Sequence, residues 1–433
     1  MNKLESKQSI SLAGMSFIQI AASFIVNILV LRLYGINDQT DSYVAAQVIP
    51  LMIIGILSSA LNSVWLPRLS ASTANPKSWY ITLSKSLGQT LFLVSCIGIV
   101  ILLLSKYLIL VFFPGFEDTQ RKVVTSYMSI FLVSMVFTTM SLQLTNALRT
   151  QNKFYEVELV NIITSLLVLP SIYFLSESYG LVIVCYIMLL KSIIIFTIQF
   201  LLTKRPKILI YEGISDKNSW RLMKPVLGGS ILYKFSPLID KVLLSYSSEG
   251  ILTLFNLSYN LISAGTQVVE KSLIMTIYVK FGKYVNKKEF FKLKQSVIHG
   301  MKRAGVVSIL TFLAMILFKK ELISLLELFL SSSHSNCEQI WEFSLLLIGL
   351  FYGSSAANLP INAQYALGNT KIVVKTGIYG FIFNIIIKLI LFYTLEVTGL
   401  AIAISLHYLV NTLIHTLTLF FLKNEINSET RAA

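Results

Sequence analysis

The chain has 433 residues, of which 55% are hydrophobic and only 13% are charged. Soluble domains carry about 25% charged residues, so this composition excludes an ordinary soluble protein and predicts a polytopic membrane protein. The formal net charge of +15 would suggest a nucleic-acid partner in a soluble protein. In a membrane protein, the positions of the charges along the chain determine what the net charge means.

Apolar segments of membrane-spanning length follow one another along the chain. They cover residues 11–33, 43–65, 87–112, 124–147, 155–175, 180–203, 222–245, 251–278, 304–329, 340–365, 372–394 and 398–422. Segment 304–329 is the weakest because Lys319, Lys320 and Glu321 interrupt it. We therefore predict an all-α protein with about 12 transmembrane helices.

The loops between these segments alternate in charge. Basic residues concentrate in every second loop, most strongly in 204–224 and 280–303, whereas "GINDQTDS" and "SYSSEG" are acidic or neutral. Because translocation disfavours Lys and Arg in short loops, we expect the basic loops and both termini in the cytoplasm. The net charge then reflects topology, so no nucleic-acid partner is predicted. The same charge distribution is compatible with a basic face that contacts anionic headgroups or lipid pyrophosphates.

The two halves of the chain resemble each other. "GLVIVCYIMLLKSIIIFTIQFLLTK" (180–204) aligns without gaps with "GLAIAISLHYLVNTLIHTLTLFFLK" (399–423). A parallel repeat of two lobes is a transporter architecture, in which the substrate is held where the lobes meet. The sequence therefore predicts an N-terminal six-helix lobe at 1–203, a cytoplasmic linker at 204–221 and a C-terminal six-helix lobe at 222–433.

Charged residues inside the apolar segments are the first candidates for a substrate site, because charge within a bilayer is costly. Lys234 lies roughly 15 Å beyond Lys224 along the seventh segment, near the middle of the bilayer. Glu270 lies at similar depth in the eighth segment, which runs in the opposite direction. We predict that Lys234 and Glu270 face one aqueous cleft and pair there. The alternatives are a static ion pair that joins two helices, or a lysine that reaches the interface.

The neighbouring polar residues complete the candidate set. Asp240 and Lys241 lie nearer the outer side of the seventh segment, and Lys271 follows Glu270. Pro237 removes a backbone hydrogen bond and could form either a gate hinge or a static kink. No enzyme motif, metal-ligand spacing or cysteine framework accompanies these residues, so we predict no enzyme, no resident cofactor and no metal site.

Three short stretches of the sequence resemble a known family. They are "LRLYGINDQTDSYVAAQVIP" (31–50), "FFPGFEDTQRKVVTSYMSIF" (112–131) and "NALRTQNKF" (146–154). They look like the first loop and the third-to-fifth helix region of the MurJ/MviN-type flippases. The resemblance implies the fold of the multidrug/oligosaccharidyl-lipid/polysaccharide (MOP) exporter superfamily, a V-shaped, MATE-like pair of six-helix bundles that works by alternating access. It also places Arg32 and Asp41 at family positions, which adds them to the candidate site.

The sequence also departs from the lipid II flippases that it resembles. Those proteins carry extra charged residues in the first helix and a basic residue early in the second, where this chain has Ile20, Val26, Asn27 and the neutral "PLMIIG". Asn260 stands where an arginine would be similar to the family. The chain also lacks room for two C-terminal helices that are common in those flippases. These differences favour a relative of the Wzx-type flippases of surface polysaccharides.

The expected function is therefore that of a flippase in the bacterial inner membrane, whose cargo is an oligosaccharide linked to undecaprenyl pyrophosphate. A surface-polysaccharide precursor is the first choice, and lipid II is the alternative. A MATE-like drug or cation antiporter stays open, as do a membrane glycosyltransferase or polymerase and a scaffold without transport activity. The expected partners are membrane lipids and the polymerase or glycosyltransferase machinery, and the protein is expected to be a monomer.

The physical mechanism follows from the cargo. An anionic pyrophosphate needs cations in a wet cleft, while a prenyl tail can stay in lipid. Lys234, together with Lys271, is the candidate for the pyrophosphate. Glu270 or Asp240 could couple transport to an H⁺ or Na⁺ gradient or to the membrane potential, or could hold a lysine in place.

Overall fold

Long α-helices make up nearly all of the structure, a computed structural model that describes residues 3–270, 277 and 281–432. Within those ranges there is no β-strand, so the predicted all-α fold class is confirmed. Nine stretches of the described chain are long and apolar enough to cross a membrane. They are Phe17–Tyr34, Asp38–Ser72, Pro76–Phe112, Asp118–Thr150, Phe154–Ser176, Val182–Leu202, Phe290–Leu317, His334–Ala366 and Lys371–Phe421.

The chain divides into two compact units, of which the first ends at Thr253 and the second begins at Leu254. The helices of the first unit are α1 (Lys3–Tyr34), α2 (Asp38–Ser72), α3 (Pro76–Phe112), α4 (Asp118–Thr150), α5 (Phe154–Tyr179), α6 (Val182–Leu202), α7 (Ile210–Ile214) and α8 (Lys217–Leu244). Helix α8 packs on α2, so the first unit includes residues that follow the predicted linker. The lobe boundaries given above stay a prediction, because these units are defined by packing alone.

The turn before α2 shows why the first family-like stretch has its sequence. The Asn37 side chain accepts hydrogen bonds from the backbone N–H groups of Gln39 and Thr40, at 3.0 and 3.1 Å. The Asn37 N–H in turn donates to the Thr40 hydroxyl at 3.0 Å. This reciprocal capping box satisfies donors that the first turn of a helix leaves unpaired. The "NDQT" part of the stretch is therefore a helix start.

One end of the first unit gathers the acidic and neutral loops. The backbone N–H of Asp38 donates to the Glu249 carboxylate at 3.2 Å. The second family-like stretch reaches the same end, where a Cβ added to Gly115 would collide with the Ser245 carbonyl. Only glycine permits this close approach of two backbones. The glycine of the "PGF" in that stretch is thus required by packing.

The opposite end of the first unit gathers the basic loops. Arg68 pairs with Asp216 there, at 2.7 Å between Nη1 and Oδ2. The Trp79 indole donates to the Thr150 hydroxyl at 3.1 Å and ties α3 to the end of α4. Successive loops of this unit therefore lie at alternating ends, as the charge pattern predicts.

The predicted linker is packed structure in its second half. The Leu209 N–H donates to the Ser84 carbonyl at 3.1 Å, and a Cβ on Gly88 would collide with the Leu209 carbonyl. Residues 209–213 therefore lie directly on α3 at residues 84–89. The apolar core beneath them joins α2, α3 and α4 through Leu69, Trp79, Leu83, Leu87, Met140, Leu144 and Ala147.

The second unit begins within α9 (Ile251–Val269) and continues through α10 (Phe281–Asn286), α11 (Phe290–Leu317), α12 (Lys319–Leu330), α13 (His334–Leu346), α14 (Ile348–Ala366) and α15 (Thr370–Ala432). The predicted segment 304–329 is wrong in its bounds, because α11 starts at Phe290 and a break at Phe318 separates it from α12. Helix α15 is interrupted at Glu396, whose φ of 52° is left-handed, so the two predicted segments on either side are separate helices.

Candidate functional site

The Lys234 side chain lies across α2 in the first unit. It is exposed on α8, and its aliphatic end passes over Gly55 of α2. A Cβ built on Gly55 would lie 3.1 Å from Cε and 3.4 Å from Nζ of Lys234. The missing side chain at position 55 therefore makes the groove in which the lysine rests.

Within the first unit, the ammonium group of Lys234 is open to bind an external anion. Among the described residues of the first unit, it has no ion pair and no hydrogen bond. Its neighbours Ser58 and Ser59 both direct their hydroxyls to the Gly55 carbonyl, at 3.2 and 2.9 Å. An exposed lysine that has no carboxylate beside it in its unit is chemically suited to bind an anionic group.

Asp240 and Lys241 occupy a different environment, since both are buried, with 6% and 9% of their surface exposed. Lys241 interacts electrostatically with Asp240 and with Asp41 of α2. A buried cation and two carboxylates thus lie together near the end of α8 that carries the acidic and neutral loops. This arrangement offsets the loss of hydration of each charge and joins α2 to α8.

Asp41 has a structural role that its sequence position did not reveal. Its Oδ2 accepts from the Gly250 N–H at 2.8 Å, and its Oδ1 accepts from the N–H and hydroxyl of Thr253, at 2.8 and 2.6 Å. These donors lie at the N-terminus of α9, so Asp41 caps a helix from another helix. The "TD" of the family-like stretch therefore combines two caps, with Thr40 for α2 and Asp41 for α9.

Arg32 and Pro237 complete the candidates of the first unit. Arg32 is exposed in the last turn of α1 and, among the described residues, it forms no ion pair. Pro237 is exposed within α8, which continues through it without a break. The hinge role of Pro237 and the binding role of Arg32 stay predictions.

The candidate of the second unit is Glu270, at the end of α9. Asn358 of α14 donates its side-chain amide to Glu270 Oε1 at 2.9 Å, and also to the Ser354 carbonyl at 3.1 Å. Asn362, one turn further along α14, donates to the Asn358 carbonyl at 2.7 Å. The carboxylate is thus oriented by an amide ladder beside Pro360.

The structure does not test two of the predictions about this region. Lys271 lies outside the described residues. Lys234 and Glu270 belong to different units, so their pairing stays a prediction.

Sequence reasoning missed the roles of Gly55 and Asn358. A glycine inside an apolar helical segment weakens the helix, which signals a packing reason, and Gly55 follows "PLMII" in such a segment. The "NLPINAQ" stretch (358–364) places polar side chains in an apolar segment, which is typical of helix packing or cleft lining, but spacing does not show its specific partner. Contacts between residues 88 positions apart, such as Asn358 and Glu270, depend on the tertiary fold.

A bundle of long apolar helices of membrane-spanning length defines a multi-pass membrane protein, and its fold is that of the MOP superfamily. The structure described as "Lipid II flippase MurJ, inward closed conformation" matches with a TM-score of 0.81 at 16% identity, over 96% of this chain and 87% of that one. An inward-facing multidrug resistance MATE family transporter of the MOP superfamily matches with a TM-score of 0.79 at 15% identity, over 95% and 96%.

The family follows from the sequence comparison. The family model described as "Lipid II flippase MurJ" matches residues 30–424. A relative, the "Probable lipid II flippase MurJ" of Buchnera aphidicola subsp. Schizaphis graminum (strain Sg), is 19% identical over 382 residues, which cover 82% of this chain and 74% of the relative. The chain belongs to the MurJ family, and it is a multi-pass inner-membrane transporter rather than an enzyme.

Proposed function

We propose that this protein is a flippase for lipid-linked saccharides and that its cargo is lipid II. The observation that carries the proposal is the match of the lipid II flippase model along residues 30–424. The first two helices lack the charges that are typical of lipid II flippases, which by itself favours a surface-polysaccharide precursor. The family match and the named relative support lipid II instead.

The proposed contact with the cargo is made by Lys234. Its side chain is exposed on α8, in the groove above Gly55, and the proposal keeps the mid-membrane depth that the sequence predicts for it. An ammonium is a compact charge that binds phosphate oxygens without a fixed geometry, which suits a group in motion. Lys271, which follows Glu270 in the sequence, is proposed as a second cation for the same pyrophosphate.

The proposed coupling group is Glu270. Its carboxylate is a proton-accepting group, and the Asn358 amide orients it by donating to Oε1 at 2.9 Å. Asp240 is the poorer candidate because it shares a buried cluster with Lys241, where it holds a lysine in place. Coupling to H⁺ or Na⁺ requires no resident cofactor, and the membrane potential could supply the energy alone.

The proposed topology places the basic loops and both termini in the cytoplasm. The support is the gathering of Arg68, Asp216 and their neighbours at one end of the first unit, together with the positive-inside rule. In the same proposal the protein acts as a monomer within the membrane. Glycosyltransferases that make the cargo and polymerases that consume it are its expected functional partners.

Complementation tests the cargo. A bacterial strain depleted of its own lipid II flippase should survive when this chain is expressed, and the Lys234→Ala and Lys234→Glu variants should fail although they reach the membrane. A matched control is Lys106→Ala, which removes an exposed lysine of α3. Survival with both Lys234 variants contradicts the proposed contact. Failure of the wild type in that strain, with rescue of a strain that lacks a surface-polysaccharide flippase, favours the other cargo.

A further inference from the structure

A second polar cavity lies in the first unit, away from Lys234. Its volume is about 840 Å³, and it lies where α2 ends and α3 begins. The residues that matter for its chemistry are Arg68, Lys77, Ser78, Thr82, Lys85 and Asp216. A cavity of this size is in the range of pockets that hold small molecules or headgroups.

One side of the cavity is held in place by an ion pair and a hydrogen bond. Arg68 donates to Asp216 at 2.7 Å and to the Ser219 hydroxyl at 2.6 Å, and its guanidinium lies 5.1 Å from the ring centroid of the buried Trp65. Partial burial by itself raises the pKa of Asp216, but hydrogen bonds from Ser219 and the Arg68 guanidinium outweigh this and lower it. Asp216 is thus ionised and Arg68 is neutralised by it, so this side of the cavity carries no net charge.

The other side of the cavity carries two lysines that lack counter-ions. Lys77 and Lys85 lie on one face of α3, about 12 Å apart along its axis, with Ser78 and Thr82 between them. Neither lysine has an ion pair with any residue in the described part of the chain. The cavity therefore has a formal charge of +2 beyond the Arg68–Asp216 pair and adds hydroxyl groups that suit an anion.

The position of the cavity relates it to the membrane surface. Helices α2 and α3 are both apolar enough to span a membrane, and they are joined at residues 73–75, beside the cavity. A cavity at the junction of two such helices is expected at the boundary of the bilayer. Ile81, which lines it, is 43% exposed and brings an apolar surface to the same edge.

We propose that this cavity binds a phosphate-bearing headgroup through Lys77 and Lys85. Basic pockets between membrane helices at the cytoplasmic face bind anionic lipid headgroups, because the lysines attract the phosphate electrostatically. The same chemistry would accept a soluble diphosphate. This site is separate from the proposed transport contact at Lys234, and it does not depend on which saccharide the protein carries.

Native mass spectrometry of the purified full-length protein tests the site, with phosphatidylglycerol and inorganic pyrophosphate as separate probes and phosphatidylcholine as the neutral reference. The Lys77→Ala/Lys85→Ala double variant removes the positive charge of the cavity, and Ser78→Trp fills the cavity without changing its charge. The control is Lys106→Ala/Lys122→Ala, which removes two exposed lysines elsewhere in the unit. We expect both cavity variants to weaken phosphatidylglycerol binding about tenfold relative to the control.

The probes separate the two sources of phosphate. Binding of phosphatidylglycerol that depends on the lysines and on the open cavity supports a lipid headgroup, whereas the same dependence for pyrophosphate alone supports a soluble diphosphate. The proposal is overturned if neither probe responds to the lysine substitutions, or if the control variant binds as weakly as the cavity variants. It is also overturned if Ser78→Trp binds like the wild type, because the charge would then act outside the cavity.

Discussion

Replacing Asp41 by Asn separates two roles that sequence and structure assign to this residue. The resemblance of its surroundings to the MurJ family placed Asp41 in the candidate site, whereas the structure shows its carboxylate capping α9. Asn preserves the shape of the side chain but converts one acceptor oxygen into a donor. Whichever way the amide turns, one N–H of Gly250 or Thr253 then faces another donor.

The size of the effect follows from the bonds that are lost. Each hydrogen bond to an ionised group contributes about 1.5–3 kcal/mol, and the substitution also removes the charge that faces Lys241. We therefore expect Asp41→Asn to lower the free energy of unfolding by roughly 3 kcal/mol. Thr253→Val removes only the hydroxyl bond to Oδ1 and should cost roughly 1.5 kcal/mol.

Thermal unfolding in detergent, compared with transport in cells, measures both roles. Asp41→Asn should lower Tm clearly, and the Asp41→Asn/Thr253→Val double variant should fall short of additivity by about 1 kcal/mol, because the two substitutions remove one shared bond. Asp38→Asn, which alters an exposed carboxylate of the same turn, is the control and should change Tm little. The reasoning is refuted if Asp41→Asn leaves Tm unchanged while it abolishes transport, since Asp41 would then serve the cargo and not the helix.

Two further predictions concern the first unit. Gly55→Leu should displace the Lys234 side chain and reduce lipid II transport about tenfold with little loss of stability. Gly98→Ala, whose new methyl group meets only the flexible end of a methionine, should leave transport intact. Equal transport in both variants would contradict the claim that the groove above Gly55 positions Lys234. The Arg68–Asp216 pair should show a coupling energy of about 1 kcal/mol in a double-mutant cycle at pH 7. Because the folded-state pKa of Asp216 is depressed, the coupling energy is present above the ordinary carboxyl pKa of 3.8 and is lost as the pH falls below that value. A coupling energy that is constant down to pH 3 would refute the ion pair.

The helices were predictable where apolar composition alone determines them. The segment 43–65 predicted α2, yet the helix extends from Asp38 to Ser72 because a capping box starts it and polar residues continue it beyond the bilayer. Segment 304–329 failed for the opposite reason. The charged run Lys319–Glu321 directly after Phe318 is the place where α11 ends and α12 begins, but hydropathy averaged over the segment bridged it.

The candidate site was predictable at the level of residue type and depth, but not of partners. Lys234 was found because a charge in an apolar segment is conspicuous, and the structure adds Gly55, whose contribution is the absence of a side chain. Asp41 was found through resemblance, which reports that a residue recurs and not why. Its bonds to Gly250 and Thr253 join residues more than 200 positions apart in sequence, and no local pattern encodes them.

Transport of fluorescent lipid II by the purified protein in proteoliposomes tests the central claim most directly. The wild type should move lipid II between leaflets, Lys234→Ala should reduce the rate about tenfold or more at unchanged Tm, and Lys234→Arg should restore part of it, because a cation then again faces the pyrophosphate. Wild-type protein that is folded but leaves lipid II in its original leaflet, or a Lys234→Ala variant that transports it at the wild-type rate, would contradict the account.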